Sequence, residues 1–433
     1  MSDFFLSLSA KRACIILLFF TLFLFFTGLD QREPESGDET RVAGISMEMV
    51  VSGDYLVPHL NSTPFLEYPP MCYWAQCFCL KLIKNPLTAL KIPSAVSALL
   101  AAFFIFFLSL KLRFSPWQAL LSSGLLITGI QFFLYARCLM VDMMLSAFIA
   151  GSFFSAYALL SESVHHSRVS RFLYFLLFVF MLAGGVMTKG LFGLAVPLSG
   201  IGIWLIVRDV IDKRFRFYAY FVTGLAVLAA IIIPSLWYGA IYHYRGYQLF
   251  YEAFWVNNFG RFSGTQGDHV EGFFYYFSRL PGIFFPWLWF AFAGLVFCGL
   301  EIKCFRKSPV FYPVVIMLVP FLLLCVASSK RQVYLLPLYA PAAICAMYGL
   351  WRIITLLGNL KNASAFFQRF SPQKILLFIT IILSLFPIVA FFITKNFILP
   401  FSALFLPFCS KLLSLLTPYR LCNQRLKSLL LLI

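Results

Sequence analysis

Charge is what this sequence has least of. Only 12% of its residues are Asp, Glu, Lys or Arg, about half the ~25% usual in soluble domains. With 61% hydrophobic residues, a water-covered globule is excluded. Acids are the scarcer sign, 17 against 34 Lys and Arg, which leaves a formal charge of +17. That surplus does not imply nucleic acid. The bases fall in short clusters between apolar runs, at Lys11/Arg12, Lys111/Arg113, 208–216, 303–307 and 352–374, which is how cytoplasmic loops are marked.

Other absences narrow the reading further. No GxGxxG or GxxxxGK[ST] loop occurs, and such loops are what cradle nucleotide phosphates. No inner segment is large enough for a nucleotide-binding domain. The eleven cysteines have no metal-type spacing, and only Cys72, Cys77 and Cys79 cluster, on an apolar helix. They read as packing residues, with a disulfide or lipidated thiol as the alternative. The first apolar run, 15–29, is followed by Asp30-Gln31-Arg32-Glu33 and not by a small-residue cleavage site, so it reads as a retained first span with the N-terminus inside.

What is present is a succession of apolar runs, each suited to crossing about 30 Å of hydrocarbon. The first span delivers residues 30–70 to the outer side, and 71–84 is too short to cross, so it reads as an interfacial helix. Further spans are expected at 92–110, 117–134, 143–160, 172–187, 191–207 and 218–236. A second long outer loop covers 237–276, followed by spans at 281–300, 310–327, 334–350, 375–394 and 397–416. The predicted fold is an all-α polytopic membrane domain over 1–416, with about 11–13 spans. A short basic-apolar tail, 417–433, closes the chain. Inner loops are short and basic and the long acid-bearing loops face outward, so any chemistry is outside and its donor is not a nucleotide.

The candidate chemistry lies in those outer segments. Glu35-Ser36-Gly37-Asp38-Glu39-Thr40-Arg41 reads as a helix opened by a capping box, Ser36 as N-cap and Glu39 at N3, and Gly53 ends it. Dipole complementation explains Glu39. It explains Asp38 less well, because Asp38 stands beside the membrane with Arg41 one turn away. Glu67 precedes Tyr68-Pro69-Pro70 and Tyr73-Trp74 without a structural reason. Asp142 interrupts the apolar stretch 139–145. A charge at bilayer depth costs ~2.5–3.5 kcal/mol even on a lenient scale, so Asp142 reads as a cavity residue, the alternative being an N-cap paired with Arg137. The second loop carries Arg261 and His269 among aromatic residues, and Lys330-Arg331 with Tyr334 place cations and a phenol at the outer face against the positive-inside trend. Such aromatics beside single cations suit a lipid-linked phosphate.

Taken together, Gly37 to Arg41, Ser52 to Leu60, Glu67 to Pro70 and Tyr73-Trp74 resemble the bacterial GT-C membrane glycosyltransferases. The similarity is greatest to the lipid A aminoarabinose transferase and protein O-mannosyltransferase branch. Asp142, Thr188-Lys189-Gly190, Arg261, His269 to Tyr276, Pro286-Trp287 and Lys330 to Pro341 follow in the expected order, so the resemblance runs from Leu17 to Trp351. It implies a GT-C bundle and transfer of a sugar from a polyprenyl (undecaprenyl) phosphate to lipid A or a related glycolipid, at the outer face of the bacterial inner membrane. Transfer to protein is the alternative within the class, and a transporter or lipid flippase the alternative outside it. A transporter predicts matching broken spans in two halves, and no such symmetry is visible.

The resemblance also implies roles. Asp38 is the catalytic carboxylate and Asp142 positions the sugar. Arg41, Glu67, Tyr68, Arg261, Lys330 and Tyr334 contact the donor sugar or phosphate. Glu39, Arg137, Lys189 and His269 are secondary candidates. No cofactor is required; Glu67 could contribute to a divalent ion site, but no His or Cys pattern accompanies it. The sequence departs from the family at Tyr68, where lysine is frequent, at Val42, where tyrosine is common, and in the soluble C-terminal domain expected outside, in whose place stands the tail 417–433.

Overall fold

A computed structural model describes residues 8–162, 167–260, 270–300 and 308–359. The expected spans at 375–394 and 397–416, the tail 417–433, and the candidates Arg261 and His269 lie outside the described residues.

The described chain is helical almost throughout. In order it forms α1 (Ala10–Phe26), α2 (Gly37–Ser52), α3 (Met71–Leu82), α4 (Pro86–Lys111), α5 (Pro116–Ile127), α6 (Ile130–Ala136) and α7 (Val141–Leu160). There follow α8 (Arg168–Lys189), α9 (Phe192–Asp212), α10 (Phe217–Ala230), α11 (Ile232–Arg245) and α12 (Tyr247–Tyr251). The last four are α13 (Tyr275–Arg279), α14 (Leu288–Leu300), α15 (Phe311–Val326) and α16 (Tyr339–Asn359). A two-stranded hairpin, His59–Leu60 with Thr63–Pro64, lies in the first long loop.

Local sequence sets many of these boundaries. Ser115 and Gln118 make a reciprocal capping box with Pro116 at the first helical position, Asn85 caps α4 through the amides of Leu87 and Thr88, and Gly53 ends α2 with a φ of 73°.

Seven described helices are long and apolar enough to cross a membrane, or eight if the bent pair α5 and α6 counts as one span. This is fewer than the 11–13 expected from the sequence, for three reasons. The expected span 117–134 is broken, its halves meeting at 72°. α14 and α15 are short, at 13 and 16 residues. The last two expected spans lie beyond residue 359. Helix also continues through Arg245, past residue 237, where the sequence reading starts the second outer loop; α12 and a wide helical turn, Glu252–Gly260, follow.

α7 and the span Gln332–Leu356, which includes most of α16, are the most enclosed, 89% and 94% of their apolar windows being buried, whereas Phe217–Arg245 is 28% buried and presents Phe217, Phe221, Leu228 and Leu236 outward. α8 and α9 approach so closely that a Cβ on Gly193 would lie 2.1 Å from the Gly185 backbone. That approach fixes the Lys189-Gly190-Leu191 turn between them.

Two cations fasten α1. Arg137 donates to the carbonyls of Leu24 (3.1 Å) and Gly28 (3.0 Å), and Lys91 donates to those of Leu29 (3.0 Å) and Arg32. The carbonyls closing a buried helix need such donors. Lys91→Met is therefore expected to cost ~1–3 kcal/mol, visible as a lower thermal midpoint in detergent; an unchanged midpoint would show that the carbonyls find other donors.

Candidate active site

The site begins at the first turn of α2. Ser36 Oγ accepts from the Glu39 amide at 3.2 Å, one half of the expected capping box. The other half is not made. Glu39 is 1% exposed and its carboxylate accepts instead from the Arg32 guanidinium, the Glu35 amide (3.3 Å) and the Leu139 amide (3.1 Å). Glu39 thus ties the first loop to the chain just before α7. Its neighbour Asp38 faces the other way, where its carboxylate accepts from Arg41 at 2.6 Å and from Arg331. Partial burial opposes ionisation of Asp38, but the hydrogen bond and charge of Arg331, with the charges of Arg41 and Lys189, outweigh it and hold the carboxyl below its ordinary 3.8.

Arg41 extends the cluster, lying 3.5 Å from Glu67 and over the Phe65 ring. Of the adjacent cations at the end of α15, the structure selects Arg331. Lys330 is 3% exposed and turned away, its ammonium donating to the carbonyls of Glu271 (2.7 Å) and Ala327.

Asp142 and Lys189 form the second centre. Met140 is the N-cap of α7, without a side-chain cap bond, and Arg137 is occupied by α1, so the alternative of Asp142 as an N-cap paired with Arg137 is not found. Asp142 instead pairs with Lys189, the last residue of α8, both buried. A carboxylate in the first turn and an ammonium in the last also suit the two helix dipoles. The ammonium lies 4.2 Å from the Tyr334 ring centroid, 5.4 Å from that of Tyr68 and 5.5 Å from that of Phe192.

Asn258, which the sequence left inside an aromatic run, holds this turn. Its Oδ1 accepts from the Leu191 amide at 2.8 Å and its Nδ2 donates to the Phe254 carbonyl at 2.8 Å. Gly190 has a φ of 57°, and a Cβ there would sit 2.1 Å from Asn258 Oδ1, so only glycine fits. Asn258→Ala should loosen the Lys189 turn and lower activity about tenfold, while Asn258→Asp, which keeps the acceptor, should lose less; equal losses would contradict the role.

Two cavities meet these groups. One, of about 270 Å³, is mostly apolar, walled by Phe192, Val196, Leu323 and Leu324 with Glu67, Tyr68, Lys189, Asn258 and Tyr334 at its polar end. The other, of about 790 Å³, is more polar, with Arg32, Glu35, Asp38, Tyr135 and Arg331 set among Leu134, Met140 and Val333. Arg41 reaches from Glu67 in the wall of the first to Asp38 in the wall of the second. Among the described residues no group of three or more His, Cys, Asp or Glu is placed to hold a metal ion; Glu67 faces Arg41.

A multi-helix membrane bundle with its acids and cations gathered from the first long loop and the ends of α7, α8 and α15 defines a protein of the GT-C class. Residues 15–250 match the sequence profile of the dolichyl-phosphate-mannose-protein mannosyltransferases, and the chain belongs to that family. It is similar to the undecaprenyl phosphate-alpha-4-amino-4-deoxy-L-arabinose arabinosyl transferase of Aeromonas hydrophila, 30% identical over 327 residues, which cover 75% of this chain and 57% of that protein. A second such transferase, from Proteus mirabilis, is 30% identical over 353 residues, covering 79% of this chain and 60% of its own length. The chain thus spans less than two thirds of these relatives. In fold it is similar to ArnT from Cupriavidus metallidurans bound to undecaprenyl phosphate, with a TM-score of 0.67 at 19% identity over 90% of this chain and 74% of that one. It is also similar to an Archaeoglobus fulgidus oligosaccharyltransferase, with a TM-score of 0.56 at 11% identity over 82% of this chain and 51% of the other.

Proposed function

We propose that this chain is a glycosyltransferase that moves a sugar from undecaprenyl phosphate to a phosphate of lipid A or a related envelope glycolipid, at the outer face of the bacterial inner membrane. The observation that carries this reading is the position of Asp38, held by Arg41 and Arg331 where an apolar cavity with one cationic end adjoins a larger polar one. The apolar cavity suits the polyprenyl chain, and Lys189 with Tyr334 suits the donor phosphate. The polar cavity suits the acceptor headgroup. The basic clusters Lys111/Arg113 and 208–216 lie at the opposite helix ends, which favours an outward-facing site and a cytoplasmic N-terminus. The aminoarabinose transferases of Aeromonas and Proteus to which the chain is similar make 4-amino-4-deoxy-L-arabinose the first sugar to test.

In this reaction an acceptor oxygen attacks the anomeric carbon. The new carbon–oxygen bond forms as the bond to the donor phosphate oxygen breaks, and the electron pair leaves with the phosphate. Cations fixed beside the departing phosphate stabilise the charge that develops there.

The acceptor choice follows from Asp38. Clamped by two guanidiniums with its pKa lowered, it is a weak base, poorly suited to deprotonating a serine or threonine hydroxyl. An ionised phosphate needs no base, and Asp38 then orients the two substrates. Accordingly, Asp38 should contribute no acid limb between neutrality and roughly pH 5, because a carboxyl with a depressed pKa remains ionised there. Any limb from the acceptor phosphate should be the same in Asp38→Asn. An acid limb centred near pH 6 that vanishes in Asp38→Asn would instead assign Asp38 as a general base. The function itself is tested with purified protein in liposomes given labelled undecaprenyl-phosphate sugar and either lipid A or a serine- and threonine-rich peptide. Label is expected on lipid A. Label on the peptide alone would overturn the acceptor, and label on neither would overturn the transferase reading.

A further inference from the structure

A second polar site stands at the far end of the bundle. α7 runs for 20 residues from Val141 to Leu160, about 30 Å, so its C-terminus lies a membrane's thickness from Asp142. There a cavity of about 170 Å³ opens between the ends of α7 and α9 and the start of α15. Its apolar side is a cluster of three rings, Tyr157, Trp204 and Tyr312, with centroids 4.7–5.9 Å apart.

Two buried donors line it without an acceptor among the described residues, and the Asp212 carboxylate, which takes Arg216 on Oδ2, brings a buried Oδ1 to the same lining. Arg208, 8% exposed, donates from Nη1 to the Leu160 carbonyl at 3.0 Å and from Nε to Asp209 at 3.2 Å, while its Nη2 has no hydrogen-bond partner among the described residues. The hydroxyl of Ser308, also 8% exposed, likewise has none. Arg216 differs, since Glu162, Asp209 and Asp212 engage its whole guanidinium. Leaving a buried charged donor unmet is costly, and the cavity is several times the ~30 Å³ share of one water. The fitting occupant therefore brings acceptor oxygens for Arg208 and Ser308 together with a donor for the carboxylate side of the lining. The lining is formally neutral, Arg208 and Arg216 against Glu162 and Asp212, which disfavours a bare dianion. Glu162, paired with Arg216 and Arg214 but still 52% exposed, presents a carboxylate that can also meet a cation carried by the ligand.

We propose that this cavity binds the phosphoethanolamine headgroup of a phospholipid in the leaflet opposite Asp38, its phosphate on Arg208 and Ser308 and its ammonium at Glu162. The site lies apart from the proposed transfer site and does not depend on it. The test is native mass spectrometry of the delipidated full chain titrated with phosphatidylethanolamine, phosphatidylglycerol or inorganic phosphate. Phosphatidylethanolamine should be retained about tenfold more tightly than phosphatidylglycerol. Ser308→Ala should weaken it about tenfold, a loss typical of one charged hydrogen bond, and Glu162→Gln should abolish the preference between the two lipids. Equal retention of both lipids by the unaltered chain, variants that bind like it, or inorganic phosphate displacing the lipid at equal concentration would each overturn the proposal, the last by assigning the cavity to free phosphate.

Discussion

Asp38→Asn is expected to lower sugar transfer by about 10²–10³-fold, the usual cost of removing one preorganised electrostatic element from a reacting centre, with little change in the amount of folded protein. The asparagine keeps the shape and one acceptor oxygen but gives up the charge that holds Arg41 and Arg331 together across the boundary between the two cavities. Arg331 would then lose the partner that raises its own pKa against the effect of burial. Folding should survive because the neighbouring Glu39, and not Asp38, fastens this loop to the bundle through Arg32 and the Leu139 amide. Glu39→Gln makes the contrast. It should reduce thermal stability first and transfer only in proportion. Measured transfer per folded molecule separates the two, and an Asp38→Asn protein with full activity would return Asp38 to a capping role.

Lys189→Met should be the most destabilising single change in the site. It leaves Asp142 as a buried carboxylate without its partner, and breaking a buried pair from one side costs ~3–5 kcal/mol. Replacing both, as Lys189→Met with Asp142→Leu, removes the stranded charge and should recover most of that stability. Activity should not return, because the cation lying over Tyr334 and Tyr68 at the polar end of the apolar cavity is gone. Thermal midpoints in detergent and transfer rates for the two single variants and the double variant form the cycle. If the double variant recovers transfer along with stability, Lys189 is a packing residue and the donor phosphate binds elsewhere.

The acids were legible in the sequence for a definite reason. A carboxylate beside or inside hydrocarbon is expensive, so Asp38, Glu67 and Asp142 stand out from one chain alone. Cations stand out as well, at Arg41, Lys189 and Lys330-Arg331, but which acid each long-range partner meets does not. Lys189 is 47 positions from Asp142 and Arg331 is 293 from Asp38, and only the packing of α8 and α15 joins them. Adjacent residues were the hardest to tell apart. Asp38 and Glu39 share one helical turn, and Lys330 and Arg331 share one bend, so which member faces the site depends on a rotation of the chain that composition does not record.

The same holds for the fold. The apolar runs predicted the membrane bundle, but the break between α5 and α6 comes from long-range contacts. The Ile130 amide donates to the Phe285 carbonyl at 3.0 Å, and Trp287 donates to Thr128 at 3.0 Å. Asn258 was hidden because its work is done on the backbone of a distant turn.

The most direct test is a structure of this chain in a lipid nanodisc with undecaprenyl phosphate bound. The phosphate should lie within hydrogen-bonding reach of Lys189 or Tyr334, with the prenyl chain running past Leu323 and Leu324 and the far side of the phosphate open toward Asp38 and Arg331. A phosphate bound with neither Lys189 nor Tyr334 near it would contradict the account, however well the bundle itself agreed.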